Sequence, residues 1–245
     1  MSTPKRLARI AALFYLLVGI CGGFAEGFVD PAMYVAGDAA ATAGNVVAHA
    51  GLVRLGVVAH LANAVFFVLT AVALYLLLNH VHKTVARVMV LLVALAAGIT
   101  SLNAVFQFEG LRVATDGAYA VAFGAAGSDA LVLILLDIQH YGTLAAQVFF
   151  GLWLAPLGYL AYRSGLFPKA LGVALVVTTV SYLVDVLAAF LAPDLAKQFH
   201  PFLSIAPIIA EVWLLLYLLV KGVRVPAQAI PAVSPLPGSA TTLAT

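Results

Sequence analysis

Charged residues are scarce in this chain. Only 9% of its 245 residues are Asp, Glu, Lys or Arg, whereas 64% are hydrophobic. Soluble domains carry about 25% charged and about 45 to 50% apolar residues, so an ordinary water-soluble domain is excluded. The net charge is +2 and the basic residues form no long run, which argues against a nucleic-acid-binding surface.

Cysteine and catalytic motifs are also scarce. The single cysteine, Cys21, excludes a disulfide within the chain and any CxxC metal or redox motif. No GxSxG, P-loop, GxGxxG or HExxH signature is present, so nothing indicates nucleotide binding, acyl transfer or zinc hydrolysis. We therefore predict no catalytic residue, no metal and no cofactor, and we favour a protein that is not an enzyme while leaving that question open.

The chain contains several long runs of apolar residues. A helix rises about 1.5 Å per residue, so about 20 apolar residues cross a bilayer. Six runs reach that length without the alternation of a barrel strand, namely residues 7–29, 51–78, 85–109, 139–162, 168–191 and 202–220. We predict an all-α membrane protein in which residues 1–224 form a bundle of six transmembrane helices. Residues 225–245 carry no charge and are predicted to be a flexible cytoplasmic tail.

The distribution of lysine and arginine predicts the orientation of the bundle. Nine of the twelve basic residues fall on the same side as the N-terminus, and only Arg54, Arg112 and Lys197 fall on the other. Since basic loops are retained in the cytoplasm, both termini are expected there. Two outer loops, residues 37–50 and 128–138, are expected to form short interfacial helices. Asp38 would cap the first, and an over-long fourth helix is the alternative for the second.

Each predicted span carries polar residues three, four or seven positions apart, which places them on one helix face. These faces are expected to turn away from lipid and toward one another. Counting residues from the basic anchors places most of them in one layer in the outer half of the bundle, with Glu211 deeper. The candidate polar cluster comprises Glu26, Arg54, His60, Asn63, Asn103, Gln107, Asp137, His140, Gln147, Tyr182, Asp185 and Glu211.

Several of these residues have two interpretations. His60 and His140 lie on different helices at similar depth, which fits either a bis-histidine haem or metal site or, as we favour, hydrogen-bonding groups. The Glu211 carboxyl is either functional or a hydrogen-bonded group that holds the bundle together. Gly19 and Gly23 permit close helix packing, within the bundle in the favoured interpretation or in a homodimer in the other.

Recognisable stretches extend over nearly the whole chain before the tail. They are residues 7–10, 15–19, 37–43, 54–56, 75–78, 141–142, 149–152, 158–160, 162–165, 171–173, 182–183, 185, 211 and 221–222. On these residues the chain resembles a bacterial family known as domain of unknown function 4386. The resemblance implies a multi-pass protein of the bacterial inner membrane with no assigned reaction or ligand. It includes Arg54, Asp185 and Glu211.

Three functions follow from these observations. The leading hypothesis is small-molecule binding or transport through an outward-facing cavity lined by the polar layer. The second is a membrane-embedded redox or metal enzyme that uses His60 and His140. The third is a structural or regulatory subunit in which the polar faces only pack helices. The expected partners are the lipid bilayer, a small molecule and a second copy of the chain, but no nucleic acid.

Overall fold

The fold is a bundle of helices. The structure, a computed structural model, describes residues 3–224, so the predicted tail at 225–245 lies outside the described residues. Within residues 3–224 there is no strand, and six helices are long and apolar enough to cross a membrane. The predicted six-helix architecture of a multi-pass membrane protein is therefore confirmed. Helices suit this solvent because each satisfies its backbone hydrogen bonds internally.

The six spans, numbered first to sixth, are Thr3–Met33, Ala50–Leu78, Lys83–Thr115, Ala125–Ser164, Lys169–Leu191 and Pro193–Lys221. The largest departure from the predicted ranges is the fourth span, which begins at Ala125 instead of residue 139. Residues 128–138 are apolar and continue the helix without a break. The over-long fourth helix is therefore the correct interpretation of this segment, and a separate interfacial helix there was wrong.

Short helices do occupy loops at one end of the bundle. Ala39–Ala48 follows the first span, and the Asp38 carboxylate caps it by accepting the Ala41 N–H at 2.9 Å. Gly117–Phe123 follows the third span, and Asp116 caps it by accepting the Ala118 N–H at 3.0 Å. Both caps satisfy a backbone donor that a helix start leaves free.

The two ends of the bundle differ in charge. One end, here the acidic end, carries Asp38, Asp116, Asp129 and Asp194 in or near its loops. The opposite end, here the basic end, carries Lys5, Arg6, Lys83, Arg163, Lys169, Lys221 and Arg224. This asymmetry is the pattern from which we predicted the orientation, and the cytoplasmic location of the basic end stays a prediction.

Three spans contain a break close to a proline. A π-helical turn, Ala25–Val29, precedes Pro31, and the Asp30 N–H bonds to the Ala25 carbonyl across it. The fourth span breaks at Trp153 before Pro156, and the sixth breaks at Ser204 before Pro207. Proline lacks an N–H and its ring crowds the carbonyl four residues earlier, so a local change of helix winding relieves both problems.

The fourth and fifth spans approach closely at a pair of glycines. A Cβ atom added to Gly158 would lie 2.6 Å from the Gly172 carbonyl oxygen, and one added to Gly172 would lie 2.8 Å from that of Gly158. In contrast, nothing lies within 4 Å of the Cβ positions of Gly19 and Gly23. The expectation that Gly19 and Gly23 pack within the bundle is therefore wrong. A homodimer through these two glycines stays a prediction.

We expect Gly158→Ala to destabilise the protein because its new methyl group meets backbone. Overpacking of this kind costs about 1 to 3 kcal/mol. Thermal unfolding of the purified protein in detergent should show a lower Tm for Gly158→Ala. The matched control is Gly19→Ala, which should leave the Tm unchanged or raise it slightly because alanine favours helix. Equal effects of the two substitutions would contradict this account of the glycine crossing.

Candidate functional site

Asp30 is the centre of a network that joins four spans. Its Oδ1 accepts a hydrogen bond from Gln107 Nε2 at 3.2 Å, and its Oδ2 accepts one from Gln139 Nε2 at 2.8 Å. His60 Nε2 lies 3.3 Å from Oδ1 and 3.2 Å from Oδ2. One carboxylate from the first span therefore contacts a side chain from each of the second, third and fourth spans.

The local sequence explains how Asp30 reaches this position. It lies directly after the π-helical turn that contains Glu26, so both carboxyl groups belong to one irregular stretch of the first span. On the second span, a Cβ at Gly56 would lie 2.7 Å from Val29 Cγ1 and 3.3 Å from Gln107 Nε2. The absence of a side chain at Gly56 allows the first span and Gln107 to approach each other.

A cavity of about 380 Å³ borders Asp30. We name it the Asp30 cavity, and its lining residues are Glu26, Asp30, Pro31, Tyr34, Gln139, His140, Thr143, Leu144 and Gln147. Two of these residues are carboxylic acids and none is Lys or Arg. The lining therefore combines negative charge with amide and hydroxyl groups that can accept or donate hydrogen bonds.

Tyr34 and His140 form an aromatic wall of the Asp30 cavity. The Tyr34 hydroxyl donates to Asp137 Oδ1 at 2.5 Å, and its ring stacks on His140 with the ring centroids 5.1 Å apart. Burial and this hydrogen bond to Asp137 both raise the pKa of the Tyr34 hydroxyl above its ordinary value. Tyr34 is therefore a neutral hydrogen-bond donor at physiological pH.

Two asparagines connect spans instead of lining the Asp30 cavity. Asn63 Nδ2 donates to the Val18 carbonyl at 2.9 Å, beside Gly22. Asn103 Nδ2 donates to Thr143 Oγ1 at 3.4 Å, and its amide packs on Gly142. In the described part of the chain, Asn63 Oδ1 is a buried oxygen without a hydrogen-bond partner, as is Oε1 of Gln107.

Glu211 forms a second polar group with two tyrosines. The Tyr15 hydroxyl donates to Glu211 Oε2 at 2.5 Å, and the Tyr182 hydroxyl donates to Oε1 at 2.8 Å. These contacts join the first, fifth and sixth spans. Trp153 closes one side, with its ring centroid 6.0 Å from that of Tyr15. We name these three polar residues the Glu211 triad.

A smaller cavity shares residues with the Asp30 cavity and with the Glu211 triad. Its volume is about 190 Å³, and its lining includes Gln147, Tyr182, Asp185 and His200. Asp185 Oδ2 lies 2.8 Å from His200 Nδ1. Gln147 borders both cavities, and Tyr182 borders the smaller one while bonding to Glu211. The two cavities therefore share one lining residue, and the smaller cavity shares Tyr182 with the Glu211 triad.

Most residues of the predicted polar cluster fall into these groups. Glu26, His140 and Gln147 line the Asp30 cavity, His60 and Gln107 contact Asp30, and Asp137 binds Tyr34. Tyr182, Asp185 and Glu211 belong to the smaller cavity or the triad. Arg54 is separate from them, because it is exposed on the second span and makes no hydrogen bond or ion pair within residues 3–224.

Asp30, Tyr34 and Gln139 were not among the predicted site residues. The predicted first span ends at residue 29, although Asp30 lies four residues after Glu26, a spacing that places two side chains on one helix face. Gln139 was predicted to begin the fourth span, but it lies well inside that helix. The spacing of Glu26 and Asp30 is the sequence signal that could have identified Asp30.

The two histidines of the metal hypothesis have other partners. His60 contacts Asp30, while His140 stacks on Tyr34. Across residues 3–224, no group of three or more His, Cys, Asp or Glu residues is arranged to hold a metal ion. The geometry of this part of the chain thus offers no multidentate metal site.

A comparison with known proteins identifies one family. The family described as Domain of unknown function (DUF4386) matches residues 10–222, which is most of the chain. No curated protein and no solved structure matches the sequence.

We expect Asp30→Ala to destabilise the bundle because it leaves Gln107 and Gln139 donors without their acceptor. Each buried polar group left unsatisfied costs about 1 to 3 kcal/mol. Thermal unfolding in detergent should therefore give a clearly lower Tm for this variant. Asp194→Ala is the matched control, because the Asp194 side chain is 94% exposed. If both variants unfold at the same temperature as the parent protein, Asp30 does not hold the four spans together.

Proposed function

We propose that this chain, which belongs to the family Domain of unknown function (DUF4386), is a membrane transport protein that binds a small organic cation in the Asp30 cavity. The main support for this proposal is that the residues lining the Asp30 cavity include Glu26 and Asp30 but no Lys or Arg. A carboxylate within a membrane bundle is costly unless it is paired or solvated. Asp30 has His60 as a partner, whereas no hydrogen bond to Glu26 is present in residues 3–224.

The other lining residues suit a small ammonium compound. The Tyr34 ring, backed by His140, offers an aromatic face of the kind that attracts cations. Gln139, Thr143 and Gln147 supply amide and hydroxyl groups that can orient polar substituents. The cavity volume of about 380 Å³ lies in the range of about 300 to 1,000 Å³ typical of small-molecule sites.

The Glu211 triad supports a role for protons in the proposed transport of the cation. An ionised Glu211 can accept both tyrosine hydroxyls, as it does here. A protonated Glu211 has its own O–H to donate, so one tyrosine hydroxyl would have to turn away or become the acceptor. Proton uptake would therefore change contacts among the first, fifth and sixth spans. Tyr182 also borders the smaller cavity with Asp185 and His200, which offers a polar route toward the triad.

The proposed setting is the bacterial inner membrane with both termini in the cytoplasm. In that orientation the basic end faces the cytoplasm, and the Asp30 cavity lies in the outward half of the bundle. The positive-inside distribution of lysine and arginine supports this orientation. The cation would enter from outside, and the Glu211 triad would lie between its binding site and the cytoplasm.

We expect Glu26→Gln to weaken cation binding because it removes an acceptor charge from the cavity. Purified protein would be titrated with a panel of small primary and quaternary amines and with neutral alcohols of the same size, using calorimetry or ligand-induced thermal shift. The parent protein should respond to one or more amines and to none of the alcohols. Loss of a charge-assisted contact of about 1.5 to 3 kcal/mol weakens affinity about tenfold or more.

Asp194→Asn is the matched control for this titration, because it removes one carboxylate at the same end on an exposed side chain. It should bind the amines as the parent protein does. An equal response to alcohols, or an equal loss in Asp194→Asn, would contradict a cation site at Glu26.

We expect Glu211→Gln to separate binding from transport. In proteoliposomes, a pH gradient should drive uptake of the bound amine by the parent protein and not by Glu211→Gln. A glutamine cannot take up or release a proton, so uptake by the variant should fall to the level of empty liposomes. Amine binding measured in detergent should persist in the variant. Gradient-driven uptake that is unchanged in Glu211→Gln would remove the proton role and leave the cavity proposal standing.

A further inference from the structure

A separate cavity lies at the basic end of the bundle, whereas Asp30 lies toward the opposite end of the first span. Its volume is about 370 Å³, and its lining residues are Lys5, Tyr217, Lys221, Val223 and Arg224. Three of these five residues are cationic and none is acidic. We name it the basic pocket, and its role does not depend on the function proposed for the Asp30 cavity.

The chain is folded back to form the basic pocket. A turn at Gly222, with φ of +70°, ends the π-helical stretch Tyr217–Lys221. Only glycine adopts this left-handed conformation without strain. The Arg224 N–H then donates to the Leu166 carbonyl at 3.0 Å, and the Tyr217 hydroxyl donates to the same carbonyl at 3.2 Å. Lys221 and Arg224 are therefore held at one pocket instead of continuing along a helix.

Lys5 reaches the basic pocket from the start of the first span. A Cβ at Gly222 would lie 3.8 Å from Lys5 Cγ and from the Lys5 carbonyl oxygen. The backbone of the first span thus packs directly against the turn that follows the sixth. Val223, which is 2% exposed, fixes this turn in the apolar core.

Within residues 3–224, no carboxylate forms an ion pair with any of these three cations, Lys5, Lys221 and Arg224. Residues 225–245 contain no Asp or Glu in their sequence. Like charges that converge in one place repel each other, and an anion in the pocket relieves that repulsion. Elsewhere at the basic end, Lys169 has a partner, because it lies over the Tyr162 ring at 5.4 Å.

We propose that the basic pocket binds the phosphate group of an anionic phospholipid. Arginine and lysine are the side chains that bind phosphate oxygens, arginine through its planar fork and lysine as a point charge. The pocket lies where two membrane-spanning helices end, which is the level of lipid headgroups. Val220 directly precedes Lys221 and is 69% exposed, so an apolar surface is open at the same helix end. This surface suits acyl chains, which inorganic phosphate lacks.

The test is native mass spectrometry of the purified full chain in a neutral detergent. Three probes would be added separately at equal concentration, namely phosphatidylglycerol, phosphatidylcholine and inorganic phosphate. We expect the parent protein to retain phosphatidylglycerol about tenfold more than phosphatidylcholine, since basic side chains favour the anionic lipid. The triple variant Lys5→Gln, Lys221→Gln, Arg224→Gln should lose this preference.

The control is a second triple variant at the same end, Lys83→Gln, Arg87→Gln, Arg163→Gln, which removes equal charge from exposed residues outside the pocket. It should retain phosphatidylglycerol as the parent protein does. The single variants Lys5→Gln and Arg224→Gln, each with a partial loss, provide the test if the first triple variant does not fold. Equal loss in the control, equal retention of phosphatidylcholine, or binding of inorganic phosphate without retained lipid would each overturn the proposal.

Discussion

A polar group inside a bilayer has no water to bind, so the protein itself must supply its partners. This constraint organises the whole interior of the bundle. The Asp30 carboxylate contacts side chains from three other spans, and the Glu211 carboxylate accepts two tyrosine hydroxyls from two other spans. Because apolar contact between helices is little better than contact with lipid, such hydrogen bonds and close packing decide which helices are neighbours.

Glycines provide the space in which these buried polar side chains pack. Polar side chains in a tightly packed bundle need space on the helix that they face, and a glycine provides it. In this chain the pairs are Gly22 with Asn63, Gly56 with Gln107, Gly142 with Asn103, and Gly151 with Tyr182. Each pair joins different spans, so the positions of small and polar residues are matched across the bundle. The polar groups and the packing of the backbone are therefore parts of one arrangement.

The proposed functional groups lie at or next to irregular turns of the helices. The π-helical turn before Pro31 contains Glu26 and leads to Asp30, and the break at Ser204 borders the smaller cavity. A turn at Gly222 similarly brings Lys221 and Arg224 to the basic pocket. At each of these places the helix departs from regular winding, so side chains and backbone groups leave the positions that regular periodicity assigns to them. Cavities of opposite charge thus lie at opposite ends of one bundle.

The number of spans, the membrane class and the inward polar faces could be predicted from the sequence, because length and hydropathy alone decide whether a helix suits lipid. The deeper level expected for Glu211 stays a prediction, and its contacts are with Tyr15 and Tyr182 instead of Asp30. The separation into an Asp30 cavity and a Glu211 triad was decided by the tertiary structure. Periodicity says which face of a helix is polar, but not which helix that face meets. The role of Asp30 depends on a π-helical turn that changes the register of the first span, and Arg54 lies outside the network because its side of the second span is exposed.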